Sequence, residues 1–288
     1  MEGVPGQEVV HVQVPDGTVA VELRGPADAG TAVVCLHGLT AHRATWEPVA
    51  RRLERRHRLL LVDLLGRGSS SPAPNAAYDL ATEAERTRHV LEALEIRRPV
   101  IAGHSHGAAI AVALAAGSEA RGLLLANPVT PWLSRPGLLS VLKLPGVQHL
   151  LPPLFRLFRT PLTRYMLVRR VFAESRSMPQ GLTAAYAEPW ADVDRARTLP
   201  ELLKQWDPAE LAAFSGIAVG RVRVVAGRQD RRVQLDDARR WAGCLGGTFT
   251  ILDGCGHSAP EERPEAIAAF LRELLARTES ETTEVDRG

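Results

Sequence analysis

The chain has 288 residues, is 45% hydrophobic, and carries 35 Lys/Arg against 33 Asp/Glu for a formal net charge of +2. That length and apolar content allow a large buried core and exclude a disordered chain, while near-balanced charge without a long Lys/Arg block gives no ground for a nucleic-acid partner. No apolar run of about eighteen residues is free of charge or proline, which argues against a membrane span, and Met1–Val10 holds Glu2 and Glu8 with no apolar core, which argues against a secretory leader.

Two β-rich runs, Glu8–Val14 and Thr18–Leu23, flank Pro15-Asp16-Gly17 and predict an opening β-hairpin. Thr31–Leu36 is continuously apolar and reads as a central strand, ending in His37-Gly38-Leu39-Thr40. A helical pattern over Thr45–Arg56 leads to a strand at Arg58–Asp63, closed by Leu64-Leu65-Gly66-Arg67-Gly68-Ser69-Ser70. Asp79–Ile96 is amphipathic, with Val90, Leu91 and Leu94 at helical spacing. Val100–Gly103 is a further apolar strand that turns sharply into an Ala-rich helix, and Gly122–Ala126 is the next strand, broken by Asn127-Pro128.

From there to Phe214 the character changes. Prolines at 128, 131, 136, 145, 152, 153 and 161 punctuate short helical patterns, and no strand run appears. This stretch reads as an inserted helical cap over 128–215, dividing a core domain made of 1–127 and 216–288. Strand character returns at Arg221–Ala226 and Gly247–Leu252, with a helix between them at Gln234–Cys244. A last helix is expected over Glu262–Arg277, followed by a polar, frayed tail. Strands alternating with helices imply an α/β fold with a doubly wound, mostly parallel sheet, whose active residues sit in loops at the strand carboxyl ends.

The turn after Val100–Gly103 reads Gly103-His104-Ser105-His106-Gly107. A serine at a strand-to-helix junction is forced into a strained, positive-φ conformation, so the residues two places away on each side must be small. The strain lifts the hydroxyl clear of the chain, and the backbone N–H of His106 points to any oxygen bound beside it. Acyl transfer by a serine then needs a base, and the base needs a carboxylate to fix its tautomer. His257, in a Gly-flanked loop after the last strand, and Asp230, in the loop after the strand before it, supply the two in the order Ser105, Asp230, His257.

Five segments carry a resemblance: His37-Gly38; Asp63 to Ser70; Gly103 to Gly107; Gly227-Arg228-Gln229-Asp230; and Gly254-Cys255-Gly256-His257. In this order, each at a strand end, they make the chain resemble the α/β-hydrolase fold over nearly its whole length. The resemblance implies Ser105 as nucleophile, His257 as general base and then acid, Asp230 as its orienting acid, and the backbone N–H groups of Leu39 and His106 as the oxyanion hole. It places Asp63 in loop support, outside this set. A serine at the elbow, where epoxide-opening and halide-displacing relatives use Asp, favours hydrolysis of an ester, thioester or lactone. Carbon–carbon bond hydrolysis, acyl transfer, cofactor-free perhydrolysis and a non-catalytic small-molecule receptor stay open as alternatives.

The implied partner is a small apolar or amphipathic acyl substrate. His37, Trp132, Phe155 and Trp190 are candidates for its pocket, within a cap stretch Leu138–Leu157 rich in Leu. The basic run Arg156, Arg159, Arg164, Arg169, Arg170 and Arg176 reads as a solvated helix face, with an anionic substrate or a carrier protein as the other reading. Scattered histidines and the absence of a His-Glu-x-x-His run give no metal site, and no phosphate-binding glycine motif appears, so no cofactor is expected. Cys35, Cys244 and Cys255 read as reduced thiols of a cytoplasmic protein, Cys35 as a small core residue; the oligomeric state stays open.

Overall fold

The computed structural model of the protein describes residues 7–133, 147–174, 178–217 and 221–285, the side chains of 147–148 and 277–285 excepted. The opening hairpin pairs β1 (Glu8–Val14) with β2 (Gly17–Arg24), antiparallel. β3 (Val33–Leu36), β4 (Leu59–Asp63), β5 (Val100–His104), β6 (Gly122–Ala126), β7 (Val222–Gly227) and β8 (Thr248–Leu252) run parallel to one another. Among the described residues they form one sheet in the order β1-β2-β4-β3-β5-β6-β7-β8, with β2 antiparallel to β4.

The central strands are apolar up to their carboxyl-terminal residues, Asp63 in β4 and His104 in β5, because both faces are covered. Val34, Leu36, Leu60, Val62, Ile101, Leu123 and Leu125 point into one core layer, against α2 (Leu80–Ala93), α3 (His106–Ala116) and α7 (Leu235–Cys244). The alternate residues Val33, Cys35, Leu59, Leu61, Val100, Ala102 and Leu124 point into the other, against α1 (Glu47–Leu53) and α9 (Pro264–Val285). The period-2 side-chain alternation of a strand thus distributes one continuous apolar run between two cores. Cys35 is a fully buried member of the second layer, and burial pushes its thiol far above the ordinary value, as expected of a small core residue.

Between β6 and β7 the described residues form helices and loops and no strand: α4 (Val147–Met166), continued by a π-helical turn at Leu167–Val171, α5 (Leu182–Ala187), a 3-10 turn at Glu188–Ala191, α6 (Val193–Gln205) and a 3-10 run at Pro208–Phe214. Residues 134–146 and Arg176 of the expected cap lie outside the described residues. After a short α8 (Ala259–Glu262), α9 continues to Val285, beyond the end expected at Arg277. The physical reason is that no Gly or Pro occurs between Pro264 and Gly288, so the polar tail holds no helix-stopping residue.

Candidate active site

Ser105 joins β5 to α3 with φ 54° and ψ −115°. Its backbone is pinned on both sides: its N–H donates to Ala126 O at 3.0 Å, and its carbonyl accepts from Ala108 N at 3.1 Å and Val129 N at 3.3 Å. These contacts hold a conformation that an L-residue rarely adopts. The flanking glycines are sterically required. A Cβ on Gly103 would come to 2.4 Å from Gly107 O, and one on Gly107 to 2.3 Å from Leu36 O.

Three side chains from three loops converge there. His257 Nε2 lies 3.0 Å from Ser105 Oγ, and His257 Nδ1 lies 2.9 Å from Asp230 Oδ2. Asp230 Oδ1 accepts the backbone N–H groups of Arg232 (2.7 Å) and Val233 (3.1 Å), while Oδ2 also accepts Asn127 Nδ2 at 2.8 Å. Burial opposes ionisation of Asp230, but the charge of His257 and the donated hydrogen bonds outweigh it and bring its carboxyl down to about 2. A carboxylate so held is ionised at neutral pH and fixes the proton of His257 on Nδ1, leaving Nε2 to accept from the Ser105 hydroxyl.

The loop carrying His257 is itself clamped. Its N–H donates to Val171 O at 2.6 Å, and its carbonyl accepts from His104 Nε2 at 2.8 Å. Asn127 Nδ2 donates to Gly256 O at 3.0 Å and its Oδ1 accepts from Ala259 N at 3.3 Å, so one side chain ties the Asp230 and His257 loops together. Glu262 Oε1 accepts the N–H of Gly256 at 2.9 Å, and its Oε2 that of Ala173 at 2.8 Å. Neither Asn127 nor Glu262 stood out in the sequence. The available signal was an Asn at the carboxyl end of a buried strand, on the rim that already carried Ser105.

Leu39 follows Gly38, whose Cα backs onto Ser105, and the N–H of His106 opens the first turn of α3. The side chain of His106 turns away into a buried network in which Glu83 bridges it to Arg67, with Trp206 edge-on to its ring at 5.8 Å. Burial works against the charge on Glu83, but Arg67 and His106 bring it down to about 2. His104 is buried, and burial lowers its ring to about 3, so it is a neutral donor to the His257 carbonyl. Asp63 sits where loop support was expected: Oδ1 accepts Arg43 N at 2.7 Å and Oδ2 accepts Ser69 N at 2.7 Å.

The pocket candidates are placed differently from one another. His37 has both ring nitrogens engaged with backbone, Nδ1 donating to Gly38 O at 2.7 Å and Nε2 accepting from Leu64 N at 3.0 Å, so it braces the β3 and β4 loops and offers nothing to a ligand. Burial holds it neutral, well below its ordinary value. Trp132 packs edge-on to Trp241 of α7, with the Arg240 guanidinium 3.8 Å from its ring centre. Phe155 and Trp190 meet edge-to-face at 5.6 Å and pin α4 to the segment before α6. A cavity of about 620 Å³ opens between the 74–75 loop, α4 and α6, lined by Pro74, Asn75, Pro153, Arg156, Arg197 and Glu201 among others, and touches none of Ser105, Asp230 or His257. Among the described residues no cluster of His, Cys, Asp and Glu fits a metal ion.

A model of the alpha/beta hydrolase family matches residues 33–270. The chain belongs to that family. The matched span runs from β3 into α9 and so includes all five strand-end loops described above. Over 89 residues this hydrolase-family chain is 37% identical to an uncharacterized protein of Mycobacterium tuberculosis, a stretch that covers 31% of the chain and only 26% of that relative's length. It is 27% identical over 278 residues to a 2-hydroxy-6-oxononadienedioate/2-hydroxy-6-oxononatrienedioate hydrolase of Paraburkholderia xenovorans, covering 93% of the chain and 94% of the relative. The crystal structure of an alpha/beta hydrolase fold protein from Burkholderia ambifaria superposes with a TM-score of 0.80 at 23% identity, covering 92% of the chain and 98% of that protein, a likeness of fold.

Proposed function

We propose that the protein is a serine hydrolase that cleaves a carboxylic ester, thioester or lactone through an acyl-Ser105 intermediate. The observation that carries this reading is the hydrogen-bonded line from Ser105 Oγ through His257 to Asp230, at 3.0 and 2.9 Å, at a positive-φ elbow. In the reaction, His257 Nε2 takes the Ser105 proton as Oγ attacks the acyl carbon, and the backbone N–H groups of Leu39 and His106 receive the developing oxyanion. The imidazolium, steadied by Asp230, returns the proton to the departing alkoxide or thiolate. A water then repeats the sequence, its proton passing to His257 and back to Ser105 as the acid leaves.

In this reading 128–215 is a helical cap inserted over the rim, which excludes water and selects the acyl group while contributing no member of the triad. Hydrolysis of a carbon–carbon bond is the second reading. It is favoured by the near-full-length relative whose name describes a hydroxy-oxo-nonadienedioate hydrolase. In that chemistry the same serine and base would serve a ketone in place of an ester.

A panel of p-nitrophenyl esters of graded acyl length, thioesters, lactones and a vinylogous 1,5-diketone acid separates the two. The ester reading expects turnover of short esters with kcat/KM at least a hundredfold above the diketone. Turnover of the diketone alone would move the assignment to carbon–carbon cleavage.

A further inference from the structure

We propose that α4 is a membrane-docking element, which lays its apolar stripe into the interface of an anionic lipid bilayer and so presents the Ser105 rim to that surface. The stripe consists of Leu150, Leu154, Leu157, Phe158, Leu162 and Tyr165, all exposed, with Leu150 at 70% and Leu157 at 73%. They lie at relative positions 0, 4, 7, 8, 12 and 15, a spacing that keeps them on one face of the helix along about 22 Å of its axis. Six large apolar side chains facing water on a single helix form a patch that a chain of this kind does not ordinarily leave uncovered.

Charge selects the occupant. From Pro128 to Ala173 the sequence holds seven Lys/Arg and no Asp or Glu, although acidic residues are nearly as numerous as basic ones in the whole chain. Arg164 flanks the stripe, and Arg169 and Arg170 are exposed at its carboxyl end, where Arg231 donates from the neighbouring loop to Arg169 O. Among the described residues none of Arg164, Arg169 and Arg170 forms an ion pair. An apolar face bordered by unpaired arginines matches an anionic headgroup layer over acyl chains, and it mismatches a second copy of itself, which would bring arginines together. Arg156, by contrast, donates across to the carbonyl of Ala191, and Arg159 donates back along α4 to the carbonyl of Arg156. No described helix is long and apolar enough to cross a membrane, so α4 lies in the interface plane. The turn that continues α4 ends at Val171, whose carbonyl accepts the His257 N–H at 2.6 Å, so the docking element is attached directly to the catalytic loop of the proposed reaction.

Flotation of the full-length protein with vesicles of 70% phosphatidylcholine and 30% phosphatidylglycerol, and with pure phosphatidylcholine, tests this without using turnover. The expected result is binding to the anionic vesicles, little binding to the neutral ones, and at least a tenfold loss between about 50 and 500 mM NaCl, over which the screening length falls from roughly 14 to 4 Å. Leu157→Glu should weaken binding at least tenfold, and Arg164→Gln with Arg169→Gln and Arg170→Gln about a hundredfold at low salt, with circular dichroism and melting unchanged. The proposal is overturned by absence of binding to anionic vesicles, by equal binding to neutral ones, or by wild-type affinity in both folded variants. A dimer in light scattering that Leu157→Glu converts to monomer would equally overturn it, because the stripe would then be a self-interface.

Discussion

Replacing Asp230 by Asn keeps the size of the side chain and changes which of its atoms can accept. Oδ1 takes two backbone N–H groups, those of Arg232 at 2.7 Å and Val233 at 3.1 Å, so the amide oxygen of the Asn must occupy that place. Its NH₂ then stands where Oδ2 was, facing His257 Nδ1 at 2.9 Å and Asn127 Nδ2 at 2.8 Å, both donors in the wild type. Asn127 cannot simply invert, because its Oδ1 accepts from Ala259 N and its Nδ2 donates to Gly256 O. His257 is left to move its proton to Nε2 so that Nδ1 can accept, and Nε2 then donates to Ser105 where it should receive. The base is lost in the ground state and the imidazolium loses its counter-charge. Together these should lower kcat by about 10³- to 10⁴-fold, equivalent to roughly 4 to 5.5 kcal/mol of barrier. Asp230→Ala removes the counter-charge without forcing the tautomer, so its kcat should exceed that of Asp230→Asn. Stopped-flow hydrolysis of p-nitrophenyl acetate at pH 7 reads both, with melting curves as a folding control. A folded Asp230→Asn enzyme within tenfold of wild type would refute the orientation argument.

Ser105→Ala and His257→Ala should each remove about 10³-fold or more of ester turnover, and the double variant should be no slower than either single one, because the members act as a unit; additive losses in steady-state rates would contradict that. Asn127→Ala withdraws a donor from Asp230 and from Gly256 at once. It should cost about 1–3 kcal/mol in urea unfolding and lower kcat with little change in KM, whereas unchanged kcat would leave Asn127 a purely structural tie. Glu261 accepts from Tyr186 at 3.0 Å and from Ser258, but burial outweighs these bonds and raises its carboxyl to about 7 from an ordinary 4.5. A carboxyl raised on folding contributes stability that is fully present below pH 4.5 and lost as the pH rises through about 7. Glu261→Gln should therefore unfold like wild type at pH 4 and be more stable at pH 8. The difference between 7 and 4.5, at about 1.4 kcal/mol per pH unit, sets a ceiling of roughly 3.5 kcal/mol. A gain of equal size at both pH values would show that Glu261 is not the titrating group.

The parts of the fold that could be read from the sequence are those in which a local pattern and a global constraint agree. Apolar runs such as Leu59–Val62 can only be strands covered on both faces, and Gly103 and Gly107 are needed because the chain approaches itself at the elbow. The loops that bring Ser105, Asp230 and His257 together were legible for the same reason, since parallel strands bring their carboxyl ends to one rim. What escaped was long-range satisfaction of buried polar groups. Nothing local marks Asn127 as the donor to Asp230, 103 positions away, or Glu262 as the acceptor under the His257 loop. Aromatic residues were equally ambiguous. Trp132 follows a strand end and so suggested a pocket, yet its ring finds Trp241 and Arg240. His37 looked like a ligand-facing histidine, while its two nitrogens answer two backbone groups. The Leu-rich stretch Leu138–Leu157 suggested a pocket lining, but Phe155 packs against Trp190 and Leu157 faces water.

The most direct test of the central claim is intact-mass analysis after exposure to a fluorophosphonate, followed by peptide mapping. A single adduct per chain is expected, on Ser105, formed rapidly in the wild type, absent from Ser105→Ala and slowed at least about a hundredfold in His257→Ala. A folded wild-type protein that stays unlabelled, or an adduct on any other residue, would contradict the assignment of Ser105 as an activated nucleophile.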